Sequence, residues 1–242
     1  ESLLDQTYPN WELCIANGSP GDTAMAAVLK EYSSRDRRIC VRNLDENLGI
    51  AGNTNAALTM AGGEFVGLLD HDDLLAPNAL YEIVKKLNED RQLDVVYTDE
   101  DKVTTDLSEH FQPHLKPDFN LDLLRSNNYI CHFLVMEASL MKRLLLRPGF
   151  DGAQDYDLVL RASADVLRDK AEELCVHIPK VLYHWRCHKE STASNPASKT
   201  YAYEAGRRAL EDFAKNQGWN VSIRDTRHLG FYRMEFLPDV LS

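Results

Sequence analysis

The sequence predicts an α/β fold with a mostly parallel central sheet flanked by helices. In the first half of the chain, short apolar segments that suit buried strands alternate with segments of helical periodicity. The strand segments lack polar alternation, as expected for a sheet covered by helices on both faces. The chain has 242 residues and is 44% hydrophobic, enough for a sizeable core.

The elements of the first half follow in order. Residues 13–16 form an apolar run stopped by polar and turn-forming residues, and 39–44 and 65–69 are similar runs, so each predicts a strand. Helices are predicted over 23–32 and over 51–61, where Gly62 and Gly63 supply a stop signal. From Pro77, one apolar stripe predicts an amphipathic helix before a strand at 93–97; it comprises Leu80, Ile83, Val84 and Leu87.

The second half is less regular. A strand is predicted at 129–137, a helix at 155–166, one or two short strands in 177–186 and a final amphipathic helix at 201–216. No composition break marks a linker, so residues 1–242 are predicted to form a single domain.

Charge and composition limit the functions available. The chain has 38 acidic and 27 basic side chains, net −11, which disfavours binding to nucleic acid. Its five cysteines are widely spaced without a Cys-x-x-Cys pair, as in a reduced compartment. No apolar run is long enough to cross a bilayer. A cytoplasmic protein is expected, with peripheral contact at the inner face of a membrane left open.

The chain opens at Glu1 rather than Met, and residues 2–6 resemble the end of a helix. We therefore expect a piece of a longer parent chain whose first strand precedes Glu1.

Three carboxylates follow the predicted strand at 65–69, in the run Asp70-His71-Asp72-Asp73. Ligands of α/β sheets bind beyond the carboxyl ends of strands, and Mg²⁺ and Mn²⁺ prefer oxygen ligands. An Asp-x-Asp pair there suits a metal. Acidic residues also cap helices, and Asp73 is a candidate cap for the helix after Pro77.

Several further motifs cover most of the chain in order: 45–53, 62–73, 97–102, 116–118, 152–158 and 182–188. Together they resemble the inverting family 2 glycosyltransferases of the GT-A fold, particularly bacterial enzymes of surface-polysaccharide synthesis. The resemblance implies a nucleotide-sugar-binding half over 1–101 and an acceptor-binding half over 102–242. It also implies a UDP or dTDP sugar as donor and a glycan or lipid-linked acceptor.

The resemblance assigns roles to two sets of carboxylates. It implies that Asp70 and Asp72 bind Mg²⁺ or Mn²⁺, with Asp70 also contacting the donor. It implies that Asp155 is the catalytic base that deprotonates the acceptor hydroxyl, whereas Asp157 is expected to be structural. Asp155 and Asp157 also fit a simpler role, as acidic residues that a helix N-terminus favours.

Further site residues are implied near both ends of the chain. His184, Arg186 and His188 alternate and share one face if extended; the resemblance favours His188 as a metal ligand and Arg186 as a diphosphate contact. Asn17 stands where the family usually carries paired acids that recognise the base, which weakens that contact. Asn47 and Asn53 lie in a matching motif and are expected to contact the donor.

Three other assignments stay open. Residues 99–101 fit either part of the sugar or acceptor pocket or a solvated acidic loop. Trp11 and Trp185 each fit a sugar-stacking ring or a core residue.

Two alternatives to a glycosyltransferase also remain. The first is a non-catalytic nucleotide-sugar or carbohydrate-binding module of the same fold. The second is a nucleotidyltransferase, which would normally show a glycine-rich basic phosphate loop.

Overall fold

A computed structural model describes residues 1–169, 175–187 and 200–238, and an α/β fold is confirmed there. The strands are β1 (Leu13–Asn17), β2 (Ile39–Asn43), β3 (Phe65–Gly67), β4 (Leu74–Leu75), β5 (Val95–Thr104), β6 (His110–His114), β7 (Leu134–Glu137), β8 (Cys175–Cys187), β9 (Val221–Asp225) and β10 (Tyr232–Phe236). The helices are α1 (Thr23–Arg35), α2 (Gly49–Leu58), α3 (Ala79–Glu89), α4 (Leu121–Leu124), α5 (Ala138–Leu144), α6 (Gln154–Asp169) and α7 (Thr200–Asn216).

The main sheet is mixed rather than mostly parallel, which corrects the predicted strand directions. Its six strands follow the order β3-β7-β5-β8-β4, with β6 paired to β5. In this sheet only β5 and β8 pair in parallel; the other pairs are antiparallel. The short connection from β5 to β6 reverses the chain, whereas parallel strands need long crossovers. Separate two-stranded sheets join β1 to β2 in parallel and β9 to β10 antiparallel.

Several predicted boundaries shift. The strand expected at 93–97 extends to Thr104, the one expected at 129–137 starts only at Leu134, and 177–186 becomes one long strand. The short elements β4, β6, α4 and α5 and the β9–β10 hairpin were not predicted. They contain too few residues to show a clear period.

Both faces of the main sheet are buried, as the apolar strand sequences predict. Val95 and Tyr97 of β5 belong to one hydrophobic cluster, and Val96 between them belongs to another. Tyr156 of α6 packs in the first cluster and Ile83 of α3 in the second. Successive side chains of a strand point to opposite faces, so β5 is covered on both sides.

The long pairing of β5 with β8 determines where polar residues lie. Every residue of the ten-residue strand β5 has a partner in β8, and the register shifts twice between Thr98 and Glu100. These irregularities re-aim the side chains that follow, as β-bulges do. Beyond them, Glu100 lies opposite Tyr183 and Asp101 opposite His184.

Within the ranges given above, no helix is both long and apolar enough to span a bilayer.

Helix α7 and the β9–β10 hairpin meet at Gly206. A β-carbon added there would lie well inside contact distance of the Tyr232 hydroxyl, which donates a hydrogen bond to the Tyr203 carbonyl at 2.7 Å. Gly206 is buried, so neither the helix nor the hairpin can yield without disturbing the core.

We predict that Gly206→Ala lowers the free energy of unfolding by about 1–3 kcal/mol through overpacking. Helix propensity alone would give the opposite sign, since Ala is favoured over Gly by roughly 1 kcal/mol. Urea denaturation measures the change. The control is Gly21→Ala, because a β-carbon at Gly21 meets nothing within 4 Å. A stabilised Gly206→Ala would show that this contact is wrong.

Candidate functional site

The predicted metal-binding run forms a turn between β3 and β4. The backbone NH of Asp73 donates to the Asp70 carbonyl at 3.2 Å and closes the turn. The Asp70 side chain is 66% exposed and Asp72 is half-buried, whereas Asp73 is buried. The turn therefore presents Asp70 outward and directs Asp73 into the protein.

Asp73 anchors this turn to β8. Its carboxylate accepts a hydrogen bond from the Tyr183 hydroxyl at 2.5 Å and from the backbone NH of Arg186 at 2.9 Å. Tyr183 Oη also accepts from the Asp70 NH at 3.3 Å. Burial raises the pKa of Asp73 to about 6, although both hydrogen bonds act in the opposite direction. The helix-cap alternative for Asp73 is wrong: α3 begins after Asn78.

His132 lies beside Asp70 and connects the turn to the interior. Its Nε2 is 3.8 Å from Asp70 Oδ2, and its ring stacks on Tyr183 with centroids 4.6 Å apart. Its Nδ1 is 3.2 Å from Glu100 Oε2. Burial favours the neutral imidazole, but the adjoining Cys131 sulfur and the Glu100 carboxylate outweigh it and raise the pKa of His132.

Glu100 is a buried carboxylate with several partners. Its Oε1 is 3.2 Å from His114 Nδ1, and its Oε2 is 3.8 Å from the buried ammonium of Lys116. Burial acts to raise the pKa of Glu100, but the bonds to His114 and His132 and the charge of Lys116 outweigh it. The pKa of Glu100 is therefore held below its usual range.

Residues 99–101 are thus part of a strand, not a solvated loop. Asp99 is also buried; its Oδ1 accepts from the backbone NH of Lys116 at 2.8 Å and lies 2.8 Å from His177 Nε2. Burial and pairing distinguish these acids from a solvated charge run.

The predicted base, Asp155, lies in the first turn of α6. Its Oδ2 accepts a hydrogen bond from Asn128 Nδ2 at 2.7 Å and lies 3.6 Å from Cys131 Sγ. Burial raises the pKa of Cys131 to about 11, so the sulfur is a protonated thiol at neutral pH. Asp155 is therefore held by two neutral donors.

A short series of contacts joins the predicted base to the predicted metal turn. Asp155 contacts Cys131, Cys131 Sγ lies 3.2 Å from His132 Nδ1, and His132 reaches Asp70. The two carboxylates come from segments that are distant in sequence. The fold therefore brings Asp70 and Asp155 to the same region.

Asp157 has the structural role predicted for it. Its carboxylate is 1% exposed and pairs with the guanidinium groups of Arg147 and Arg161, the latter at 2.7 Å. A buried ion pair of this kind fixes α6 against the segment before it.

The three predicted donor-binding asparagines lie at the end of β1, in the loop before α2 and within α2. Asn17 Nδ2 donates to Asn43 Oδ1 at 3.0 Å, and Asn53 Nδ2 donates to Asn47 Oδ1 at 2.9 Å. A β-carbon on Gly18 would lie 2.7 Å from Asn53 Nδ2, so the loop after β1 closely approaches α2. Asn47 and Asn53 thus bond to each other, and Asn53 lies against the loop that follows Asn17.

The predicted residues of the β8 segment have different partners. The backbone of Arg186 binds Asp73, and its buried Nε has no hydrogen-bond partner among the described residues. His184 pairs instead with Asp101, at 2.6 Å between Nδ1 and Oδ1. His188 lies outside the described residues.

Ligand-type side chains form three groups in the described parts of the chain: Asp70, Asp73 and His132; Glu100, Cys131 and His132; Asp101, His110 and His184. Asp70 belongs to the first group, whereas Asp72 belongs to none. A carboxylate pair with one imidazole offers the hard oxygen donors that Mg²⁺ and Mn²⁺ accept, so the first group fits the implied metal.

Sequence reasoning missed His132 and Cys131, which lie in a segment predicted as a strand, and it left Glu100 open between a pocket residue and a solvated loop. The meeting of these three residues depends on the β5–β8 register. The one available signal was a pair of polar residues, Cys131 and His132, inside an otherwise apolar run.

Beside Glu100 lies a cavity of about 240 Å³, lined by Glu100, Asp101, Lys102, Gln112, His114 and Trp185. Trp185 is 5.7 Å from His132 between ring centroids, so the cavity adjoins the group around His132. A second cavity of about 330 Å³, beside Trp219 between α7 and β9, contains none of the predicted site residues.

The sequence profile of Glycosyl transferase family 2 matches residues 1–150, and the chain belongs to that family. The family resemblance of the sequence motifs is thereby confirmed.

Two relatives match over 92% of this chain. The uncharacterized protein y4gI of Sinorhizobium fredii is 40% identical over 225 residues, and the O-antigen biosynthesis protein RfbC of Myxococcus xanthus is 34% identical over 223. The chain spans 24% and 17% of the lengths of these relatives.

Among solved structures, TarS of S. aureus in complex with UDP-GlcNAc shares the fold. Its TM-score is 0.65 at 20% sequence identity, over 89% of this chain and 61% of that one. The GT-A-like α/β architecture is thereby confirmed.

The raised pKa of Asp73 makes stability depend on pH. Because its pKa rises from 3.8 to about 6 on folding, the stability it contributes is complete below about pH 3.8 and is lost as pH rises through about 6. Asp73→Asn removes this titration. Relative to the wild type, the variant should gain up to about 3 kcal/mol between roughly pH 4 and 7.

Urea denaturation in EDTA across that pH range measures the difference without metal binding. Asp122→Asn is the matched control, since the Asp122 side chain is 89% exposed. Parallel curves for wild type and Asp73→Asn would contradict the buried, titrating carboxylate.

Proposed function

We propose that this chain transfers a sugar from a nucleotide-diphosphate donor to a glycan or lipid-linked acceptor, with inversion and with Mg²⁺ or Mn²⁺ bound. The observation that carries the proposal is the contact series from Asp70 through His132 and Cys131 to Asp155. A donor side and an acceptor side are both required for group transfer, and this series supplies one carboxylate for each.

On the donor side, Asp70 and Asp72 would hold the metal with the help of His188. A bound cation stabilises the negative charge that develops on the leaving diphosphate. Asp70 is exposed and lies next to His132, and Asp73 holds the turn in place from beneath. Binding of the donor therefore begins on a turn that is already ordered.

Arg186 is proposed to bind the diphosphate. Its backbone is fixed by Asp73, while its buried Nε has no partner in the described parts of the chain. A buried guanidinium NH without an acceptor is costly, and a phosphate oxygen would satisfy it.

The nucleotide is proposed to lie against the end of β1 and the start of α2. Asn17, Asn47 and Asn53 offer amide donors and acceptors there, and Gly18 has no side chain, which allows Asn53 to approach it closely. We accordingly propose that residues 1–101 bind the nucleotide-sugar and that residues 102–242 bind the acceptor, with Arg186 and His188 reaching the donor from the second half. A UDP or dTDP sugar is the proposed donor; TarS, which shares the fold, was crystallised with UDP and with UDP-GlcNAc.

Asp155 is proposed as the catalytic base. Asn128 and Cys131 orient one of its oxygens, so the carboxylate is positioned to take the proton of an acceptor hydroxyl. The oxygen of the acceptor hydroxyl then attacks the anomeric carbon from the side opposite the leaving diphosphate. This single displacement inverts the configuration at the anomeric carbon. No covalent intermediate is needed.

A pair of variants separates the two roles. Asp155→Asn should lower donor turnover by about a hundredfold to ten-thousandfold, because a positioned base contributes about that factor. Its affinity for UDP with Mn²⁺ should barely change. Asp72→Ala should weaken Mn²⁺-dependent UDP binding, because its proposed role precedes the chemical step.

Calorimetry measures binding, and release of UDP from a UDP-sugar measures turnover, after a screen of UDP, GDP and dTDP sugars identifies the donor. Asp122→Asn, an exposed aspartate, is the control. Wild-type turnover in Asp155→Asn, or a loss of UDP affinity equal to that of Asp72→Ala, would end this division of roles.

A further inference from the structure

Three ligand-type side chains meet on neighbouring strands, apart from the predicted donor site. Asp101 of β5 lies between His110 of β6 and His184 of β8. Asp101 Oδ2 is 3.0 Å from His110 Nδ1, and Asp101 Oδ1 is 2.6 Å from His184 Nδ1. Each carboxylate oxygen therefore faces one imidazole nitrogen.

The sheet itself holds these side chains together. Asp101 and His184 are directly paired in the parallel β5–β8 register, and His110 pairs with the neighbouring Val103. The two imidazole rings lie at 80° with centroids 4.6 Å apart. Ligands on paired strands need little reorganisation to bind an ion.

This group lies on the other face of the sheet from His132. Tyr183 and Trp185, which flank His184 in β8, both contact His132. Alternate residues of a strand point to opposite faces, so His184 is directed away from His132. Strand β5 alternates in the same way: Glu100 contacts His132, whereas the next residue, Asp101, contacts His184.

We propose that Asp101, His110 and His184 form a zinc site. Two imidazole nitrogens with one carboxylate are a common Zn²⁺ ligand set, whereas Mg²⁺ and Ca²⁺ prefer oxygen alone. Asp101 and His184 are 12% and 18% exposed, and His110 is 51% exposed, so the ion has an entry path and a coordination position open to water. The proposal does not depend on the proposed transferase activity.

A bound Zn²⁺ ion would link β6 to β5 and β8 through His110, Asp101 and His184. The cavity of about 240 Å³ lies beside the same three strands and includes Gln112 and His114 of β6 in its wall. Zinc would thereby rigidify the wall of the cavity, which Asp101 itself lines. Without zinc, Asp101 accepts hydrogen bonds from both rings, which is the competing state to be tested.

The test uses Zn²⁺ alone, measured by competition with a chromophoric chelator. His110→Ala should weaken one Zn²⁺ site at least about tenfold, since loss of a ligand exceeds the effect of losing an outer partner. Asp101→Asn should do the same. His228→Ala, which removes an exposed histidine from the β9–β10 turn, is the matched control and should keep the wild-type site.

Nitrogen-15 NMR of the wild-type imidazoles provides a readout independent of any folding defect. The Nδ1 resonances of His110 and His184 should shift together and saturate at one equivalent for this site. Asp72→Ala should leave this response unchanged, because Asp72 is not one of the three proposed ligands. Unshifted resonances, or equal Zn²⁺ affinity in His110→Ala, Asp101→Asn and wild type, would overturn the zinc site.

Discussion

The buried carboxylate of Glu100 is the interaction on which the candidate site depends. It binds His114 on one oxygen and His132 on the other, with the Lys116 ammonium nearby. Lys116 in turn donates to the carbonyls of Ile130 and His132. The backbone and the side chain of His132 are therefore both tied to one charged centre, and His132 connects Asp70 with Cys131.

Such a centre is stable only when it is fully paired. Burying a single carboxylate costs several kcal/mol, and the pairing with cationic and hydrogen-bonding groups offsets it. The lowered pKa of Glu100 indicates that its partners outweigh burial, whereas the raised pKa of Asp73 indicates that burial prevails there. The turn that carries Asp70 is therefore anchored by the Asp73 carboxyl group, whose pKa of about 6 is close to neutral pH.

The secondary-structure elements with strong hydrophobic periodicity could be predicted from the sequence. The candidate site residues were indicated by the motifs that resemble the family. Helix α3 follows from the stripe of Leu80, Ile83, Val84 and Leu87, and the buried strands follow from their unbroken apolar runs. Strand direction could not be predicted, because apolar runs look alike whether their neighbours are parallel or antiparallel. The shared location of Asp70 and Asp155 was expected only through the family resemblance.

The partners of these acids were not predictable for a different reason. Glu100 and Asp101 are adjacent, yet one joins His132 and the other joins His110 and His184, because the strand alternates faces. Which residues they meet depends on the register shifts at Thr98 and Asp99, which local sequence does not specify. The site is therefore a property of the sheet, even though its motifs are visible in the chain.

The central claim is that the turn at Asp70 and Asp72 holds the donor's metal and that Asp155 faces the same space. Crystals containing Mn²⁺ and UDP, measured at the manganese absorption edge, test it most directly. We predict an anomalous manganese peak at ligand distance from the Asp70 or Asp72 carboxylate. The diphosphate of UDP should bind this manganese ion, and the terminal phosphate of UDP should lie on the side of Asp155. A manganese peak with UDP elsewhere, or a diphosphate turned away from Asp155, would contradict it.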